Sequence, residues 1–105
     1  MTLDFMRAGA NGVVSVASNL IPKEMVTLVR EMSSGNVTEA ERIASRYHSL
    51  FEHLFLEVNP APTKEALARI YGEIYTSEVR LPLVGMTDEN RDTLITTLQG
   101  VGLIR

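Results

Sequence analysis

The stretch EVNPAPTK, residues 57–64, lies between two segments with helical patterns and decides how the chain must fold. Proline fixes the backbone angle φ and disfavours helix at the residue before it. Pro60 and Pro62 therefore predict a short extended corner over residues 59–62. A long helical pattern precedes this corner, and a second one begins at Thr63. The stretch predicts a chain in which one helix turns sharply onto the next.

Apolar residues recur at helical spacing before the corner. A helix is predicted from Pro22 to a stop at residues 33–35, because proline suits a first helical position and Gly35 suits a helix end. Asn36 and Glu39 have the spacing of a capping box that opens the next helix. This second helix carries the strongest apolar stripe of the chain, which consists of Val37, Ala40, Ile43, Ala44, Tyr47, Leu50, Phe51, Leu54 and Phe55.

Two further helices are predicted after the corner. Residues 66–74 carry apolar side chains at helical spacing, and residues 80–85 form an extended connector. Thr87 is then expected to cap a final helix that ends at Gly102.

The N-terminal part contains the one segment with a strand pattern. An apolar cluster from Leu3 to Met6 precedes Gly9, which predicts the last turns of a helix. Residues 13–17, VVSVA, are short, rich in β-branched residues and almost entirely apolar. Such a run predicts a strand buried on both faces, as in the middle of a parallel sheet or barrel.

Composition excludes several classes of protein. The chain has 105 residues, of which 45% are hydrophobic, so one ordered domain is expected. A formal net charge of −3 without a basic stripe argues against nucleic acid and membrane surfaces as partners. The absence of cysteine excludes disulfides and thiolate metal sites. No signal peptide or spanning segment is evident, so a cytoplasmic location is predicted.

Two histidine–glutamate pairs have the spacing of neighbouring metal ligands on a helix. His48 and Glu52 form one i, i+4 pair, and His53 and Glu57 form the other. The two histidines are five residues apart and point in different directions around a helix. Solvated or half-buried pairs are therefore predicted, and no metal site and no cofactor are expected.

No residue pattern in the chain predicts a catalytic centre. Lys23 and Lys64 are the only lysines, and a Schiff base requires a buried lysine or one beside another cation. Both lie beside prolines in first helical turns, where surface positions are expected. Ser15 has no surrounding G-x-S-x-G motif, which argues against a nucleophile. No catalytic residue is predicted.

Four segments carry a family resemblance. They are GANGVVSVASN (9–19), LFLEVNPAPTKEAL (54–67), VRLPLVGMTDENRDTL (79–94) and GVGLIR (100–105). In order and spacing they resemble the C-terminal part of the dihydrodipicolinate synthase family, over almost the whole chain. The N-P-x-P-x-K run favours this branch over the related N-acetylneuraminate lyases.

The resemblance implies a mainly α fold that is part of a (β/α)8 barrel enzyme. Residues 1–35 would be the remnant of the barrel, with the end of a helix, the eighth strand and the eighth helix. Residues 36–105 would be the C-terminal helical subdomain. A whole barrel needs about 250 residues, so the barrel is incomplete.

The resemblance also implies a lyase of lysine biosynthesis, which condenses pyruvate with aspartate semialdehyde through a Schiff-base lysine. The catalytic residues lie in the family's earlier strands, which have no counterpart here, so the chain alone is expected to be inactive. Because barrel sites lie at the C-terminal ends of strands, only Ser15, Ala17 and Asn19 are candidates for the barrel mouth.

Three functions from different classes follow. The chain is an inactive part of the synthase, a part that completes an active barrel with a separate N-terminal part, or an independent helical interaction module. Where the barrel neighbours are absent, an unpaired strand and an uncovered helix face predict self-association, by pairing of residues 13–17 or exchange of the N-terminal segment. The missing N-terminal part of the barrel is the other predicted partner.

Overall fold

The computed structural model describes every residue from Met1 to Arg105 and contains no β-strand. The predicted mainly α fold is confirmed. None of the helices is both long enough and apolar enough to cross a membrane. The α-helices are α1 (Thr2–Arg7), α2 (Pro22–Ser33), α3 (Val37–Arg46), α4 (His48–His53), α5 (Ala61–Tyr71) and α6 (Asp88–Gly100), with short 3-10 helices at Val16–Asn19 and Gly72–Ile74.

The chain divides into two compact units, Met1–His48 and Ser49–Arg105. They are called the N-terminal unit and the C-terminal unit below. The boundary predicted after residue 35 refers to an intact barrel and stays a prediction.

In the N-terminal unit, α2 packs against α3, and α1 contacts both helices. Each helix turns an apolar stripe inward, and burial of a large aliphatic side chain stabilises a fold by about 1.5–3 kcal/mol. The buried apolar residues of this unit are Leu3, Ala17, Leu20, Ile21, Met25, Leu28, Ala40, Ile43 and Tyr47.

The strand predicted at residues 13–17 is absent. Ser15 has an extended backbone, with φ −139° and ψ 137°, and the chain enters the 3-10 helix at Val16. A strand needs a hydrogen-bonded neighbour, and the structure contains none. The β-branched sequence therefore gives an extended backbone at Ser15 without a sheet.

In the C-terminal unit, α5 packs against α6. The side chain of Pro62 is fully buried here, in the first turn of α5. The buried apolar residues of this unit are Leu50, Leu54, Ala61, Pro62, Ala66, Met86, Leu94, Leu98 and Val101.

The corner differs in detail from the prediction. The helix begins at Ala61, so only Pro60 precedes it and Pro62 lies inside its first turn. Proline is tolerated there because first-turn N–H groups have no partner within the helix. The long helix predicted before the corner is also interrupted at Tyr47, between α3 and α4. The Asn59–Pro60 and Leu81–Pro82 peptide bonds are cis.

Of the predicted helix caps, the cap of α6 is confirmed and the capping box of α3 is wrong. Thr87 caps α6, because its side chain accepts a hydrogen bond from the Asn90 N–H, and Gly102 follows α6 with φ +79°. The capping box of Asn36 and Glu39 does not form. The Asn36 amide donates to Glu31 instead, and the Glu39 carboxylate accepts two bonds from Arg42.

Candidate functional site

The three candidates for the barrel mouth lie on one turn of the N-terminal unit. The Ser15 hydroxyl accepts a hydrogen bond from the Ala17 N–H at 3.2 Å, and the Asn19 amide donates to the Val16 carbonyl at 3.0 Å. Ala17 is 1% exposed, whereas the Asn19 side chain is exposed. Both polar side chains therefore hold the turn itself, and the mouth assignment stays a prediction.

An open apolar groove adjoins this turn. Its volume is about 450 Å³, and it is lined by Gly12, Val13, Ser18, Pro22, Met25, Val26, Val29 and Arg30. Val14, which precedes the turn, is fully exposed, and Val26 is 64% exposed. The N-terminal unit thus leaves apolar side chains of α2 uncovered, beside Gly12 and Val13.

The two lysines lie near the N-terminal ends of two helices, as the sequence predicts. Lys23 is exposed in the first turn of α2. Lys64 is half-buried on α5, and its ammonium donates to the Glu78 carbonyl. The Lys64 contact fixes the connector that follows α5, which is a structural task.

The Glu57 carboxylate, in the EVNPAPTK stretch, accepts three hydrogen bonds. Its Oε1 accepts bonds from the Thr87 N–H at 2.9 Å, the Thr87 hydroxyl at 3.0 Å and the Asn90 amide at 2.8 Å. These bonds tie the corner to the start of α6. They also lower the pKa of Glu57, chiefly through the Asn90 bond and then the Thr87 N–H.

His53 and Glu57 do not act as a pair, because each has its own partner. The His53 Nδ1 lies 2.6 Å from the Thr97 hydroxyl, and that hydroxyl donates its proton to the Thr93 carbonyl at 3.0 Å. A hydroxyl has one proton to give, so His53 must donate from Nδ1. His48 and Glu52 each have an interaction partner. No three histidine, aspartate or glutamate side chains are placed to hold a metal ion.

The sequence patterns did not predict the buried Glu65 carboxylate of the C-terminal unit. Glu65 is 6% exposed, and its Oε1 lies 2.9 Å from Arg69 Nε and 3.5 Å from Arg91 Nε. The Arg91 guanidinium also donates to the Met86 carbonyl at 2.9 Å, just before α6. The i, i+4 spacing of Glu65 and Arg69 was the available signal, but the contribution of Arg91 requires the tertiary structure. The cluster holds α5, the connector and α6 together and offers no catalytic constellation.

Comparisons with known proteins agree with the resemblance. The model of the dihydrodipicolinate synthetase family matches residues 1–101. The 4-hydroxy-tetrahydrodipicolinate synthase of Persephonella marina is 46% identical over 105 residues, which are 100% of this chain and 36% of that protein. The chain thus spans about a third of the length of the curated relatives that it matches.

Solved structures give the same result for the fold. The dihydrodipicolinate synthase of Thermotoga maritima matches with a TM-score of 0.92 and 37% identity, over 98% of this chain and 34% of that one. The enzyme of Aquifex aeolicus matches with a TM-score of 0.91 and 39% identity, over 97% of this chain and 34% of that one. The fold described above therefore matches the C-terminal helical part of these enzymes.

Proposed function

Because the chain belongs to the dihydrodipicolinate synthetase family, we propose that it serves as the C-terminal part of a 4-hydroxy-tetrahydrodipicolinate synthase. That enzyme is a lyase of lysine biosynthesis, which condenses pyruvate with aspartate semialdehyde through a Schiff-base lysine. The observation that carries the proposal is the family match over residues 1–101, together with 46% identity to a synthase along the whole chain.

The part proposed here is structural and not catalytic. The ammonium of Lys64 is bonded to the Glu78 carbonyl, and Lys23 is exposed on α2. Neither is fully buried, whereas a Schiff-base lysine lies in a buried pocket or beside another cation. The lysine nucleophile and the proton-transfer groups would come from the rest of the barrel. Ser15, Ala17 and Asn19 would contribute to the wall of the mouth.

The open groove favours completion of a barrel over an independent module. Its apolar lining and the extended Ser15 backbone are what a missing strand and its neighbours would cover. Residues 13–17 would then pair with strands of the N-terminal part on both edges. We propose the cytoplasm as the location, no nucleic-acid or membrane partner, and self-association when the rest of the barrel is absent.

Borohydride trapping tests the proposed division of labour. The chain is incubated with pyruvate and sodium borohydride, first alone and then together with an N-terminal part of the Persephonella marina relative. That part is the about two thirds of the relative that this chain does not match, since the match covers 36% of it. An imine forms when a lysine amine attacks the pyruvate carbonyl and water leaves, and borohydride reduces it to a stable amine. We expect an unchanged mass for this chain and an adduct on the N-terminal part.

The variants Lys23→Arg and Lys64→Arg serve as controls, since arginine forms no imine. With either variant, the mixture should still form the pyruvate adduct on the N-terminal part and should keep its condensation activity. A stoichiometric adduct on Lys23 or Lys64 would show that this chain carries its own nucleophile. If the mixture gains no condensation activity although the two parts bind, the completion proposal is wrong.

A further inference from the structure

The C-terminal unit contains a segment that belongs to no helix or strand, residues 75–85, which is called the strap below. It begins after the 3-10 helix Gly72–Ile74 and ends before the buried Met86. No residue of the strap is buried, and Leu81 and Val84 are 88% and 71% exposed. Because apolar burial is the main stabilising term of a fold, it holds the strap less firmly than it holds α5 and α6.

The backbone of the strap is bonded only locally. The Leu83 N–H donates to the Arg80 carbonyl at 3.0 Å, and the Glu78 N–H donates to the Thr76 hydroxyl at 3.2 Å. Both are turn contacts within the strap. No backbone hydrogen bond joins the strap to α5 or α6, so side chains of the helices must hold it in place.

The C-terminal end of the strap is fixed by several such contacts. The Met86 carbonyl accepts a hydrogen bond from the Arg91 guanidinium at 2.9 Å, and the next N–H, that of Thr87, donates to Glu57 at 2.9 Å. Arg91 is in turn paired with the buried Glu65. This end therefore moves only with the start of α6.

The middle of the strap has a single attachment. The Lys64 ammonium, on α5, donates to the Glu78 carbonyl across 14 residues of sequence. It is the one hydrogen bond or ion pair that reaches residues 76–85 from outside the strap. A hydrogen bond from a charged donor is stronger than one between neutral groups, so the loss of this charge has a large effect on a segment with little other support.

We propose that Lys64 is a latch, whose ammonium holds the strap closed and whose neutralisation lets residues 76–85 open while α5 and α6 stay folded. The two helices pack through fully buried side chains such as Ala66, Leu94 and Leu98, none of which belongs to the strap. The proposal goes beyond the structural role proposed above and does not depend on it, because every group in it lies in the C-terminal unit.

Trypsin cleavage after Arg80 tests the latch, because Arg80 is exposed within the strap. At low protease concentration, the cleavage rate follows the fraction of molecules in which the segment is open. Lys64→Met removes the charge at a similar side-chain length, and it should speed cleavage at Arg80 at least about tenfold. Lys64→Arg keeps a charged donor and should restore slow cleavage. Lys23→Met makes the same charge change on α2 and should have no effect.

Two further measurements separate opening of the strap from unfolding of the unit. In Lys64→Met, hydrogen exchange should accelerate at the Glu78 and Leu83 N–H groups and stay slow in α5 and α6. In the original chain, cleavage at Arg80 should proceed at urea concentrations below those that unfold α5 and α6. The proposal is overturned if Lys64→Met is cleaved no faster than Lys23→Met, if Lys64→Arg is cleaved as fast as Lys64→Met, or if cleavage of the original chain begins only where α5 and α6 unfold.

Discussion

The two units of the chain differ in how completely their polar groups are bonded and their apolar side chains are buried. In the C-terminal unit, carboxylates join successive segments: Glu57 bonds to Thr87 and Asn90, and Glu65 contacts arginines of α5 and α6. In the N-terminal unit, Val14 is fully exposed, and an apolar groove of about 450 Å³ lies open beside α2. The ion pair of this unit between Arg7 and Glu41 lies at the surface.

The difference predicts that the C-terminal unit is the more stable of the two. Surface ion pairs contribute about 0–1 kcal/mol, whereas removing one partner of a buried pair costs considerably more. The C-terminal unit has a buried carboxylate with two arginines and a capped final helix, so its helices specify their own packing. The N-terminal unit has a packed helical pair and an extended backbone at Ser15 without a sheet, as expected for the proposed barrel remnant.

The largest expected effect is the loss of core volume in the C-terminal unit. Leu94 is 0% exposed on α6, and its replacement by alanine leaves a cavity. Leu94→Ala should lower the free energy of unfolding by about 2–5 kcal/mol. Urea titration followed by circular dichroism measures this value. Thr96→Ala, at an exposed site on the same helix, is the control, and an equal loss in both variants would contradict the assigned core.

The second largest loss of stability is expected at the N-terminal cap of α6. The Thr87 side chain accepts from the Asn90 N–H and donates to Glu57. Thr87→Ala should cost about 1 kcal/mol, because a first-turn N–H loses its acceptor. Thr93→Ala removes a hydroxyl of the same size within the helix and is the comparison for the same titration. If the two variants are equally stable, the cap does not hold the start of α6.

Helix positions and caps such as Thr87 and Gly102 could be predicted, because they depend on residues close in sequence. The partners of Glu57 and Glu65 could not, since Asn90 and Arg91 lie 33 and 26 residues further along the chain. The absent strand is the converse case. VVSVA has a strand's local preferences, but a ladder requires neighbours that this structure does not contain.

The third effect depends on pH. Hydrogen bonds from Asn90 and Thr87 lower the pKa of Glu57 from its ordinary 4.5. A lowered folded-state pKa stabilises the fold fully above the unfolded value, and this contribution is lost as the pH falls through the folded value. The melting temperature of Glu57→Gln should therefore lie below that of the original chain at neutral pH. The gap should close below pH 4.5, and a gap that persists in acid would contradict the assignment.

The smallest effect is expected in the N-terminal unit. Val14 has a fully exposed side chain, so Val14→Asp should change the free energy of unfolding by less than about 0.5 kcal/mol. The same urea titration measures it. A loss near that of Leu94→Ala would show that residues 13–17 are already packed, and the contrast between the two units would not hold.

Hydrogen exchange, followed residue by residue with and without the N-terminal part of a relative, tests the central claim most directly. For the chain alone, we expect immediate exchange of the backbone N–H groups of residues 11–15 and strong protection in α5 and α6. Addition of the N-terminal part should protect residues 11–15 and leave α5 and α6 as they were. Protection of residues 11–15 in the chain alone, or protection of α5 and α6 only in the mixture, would contradict the account.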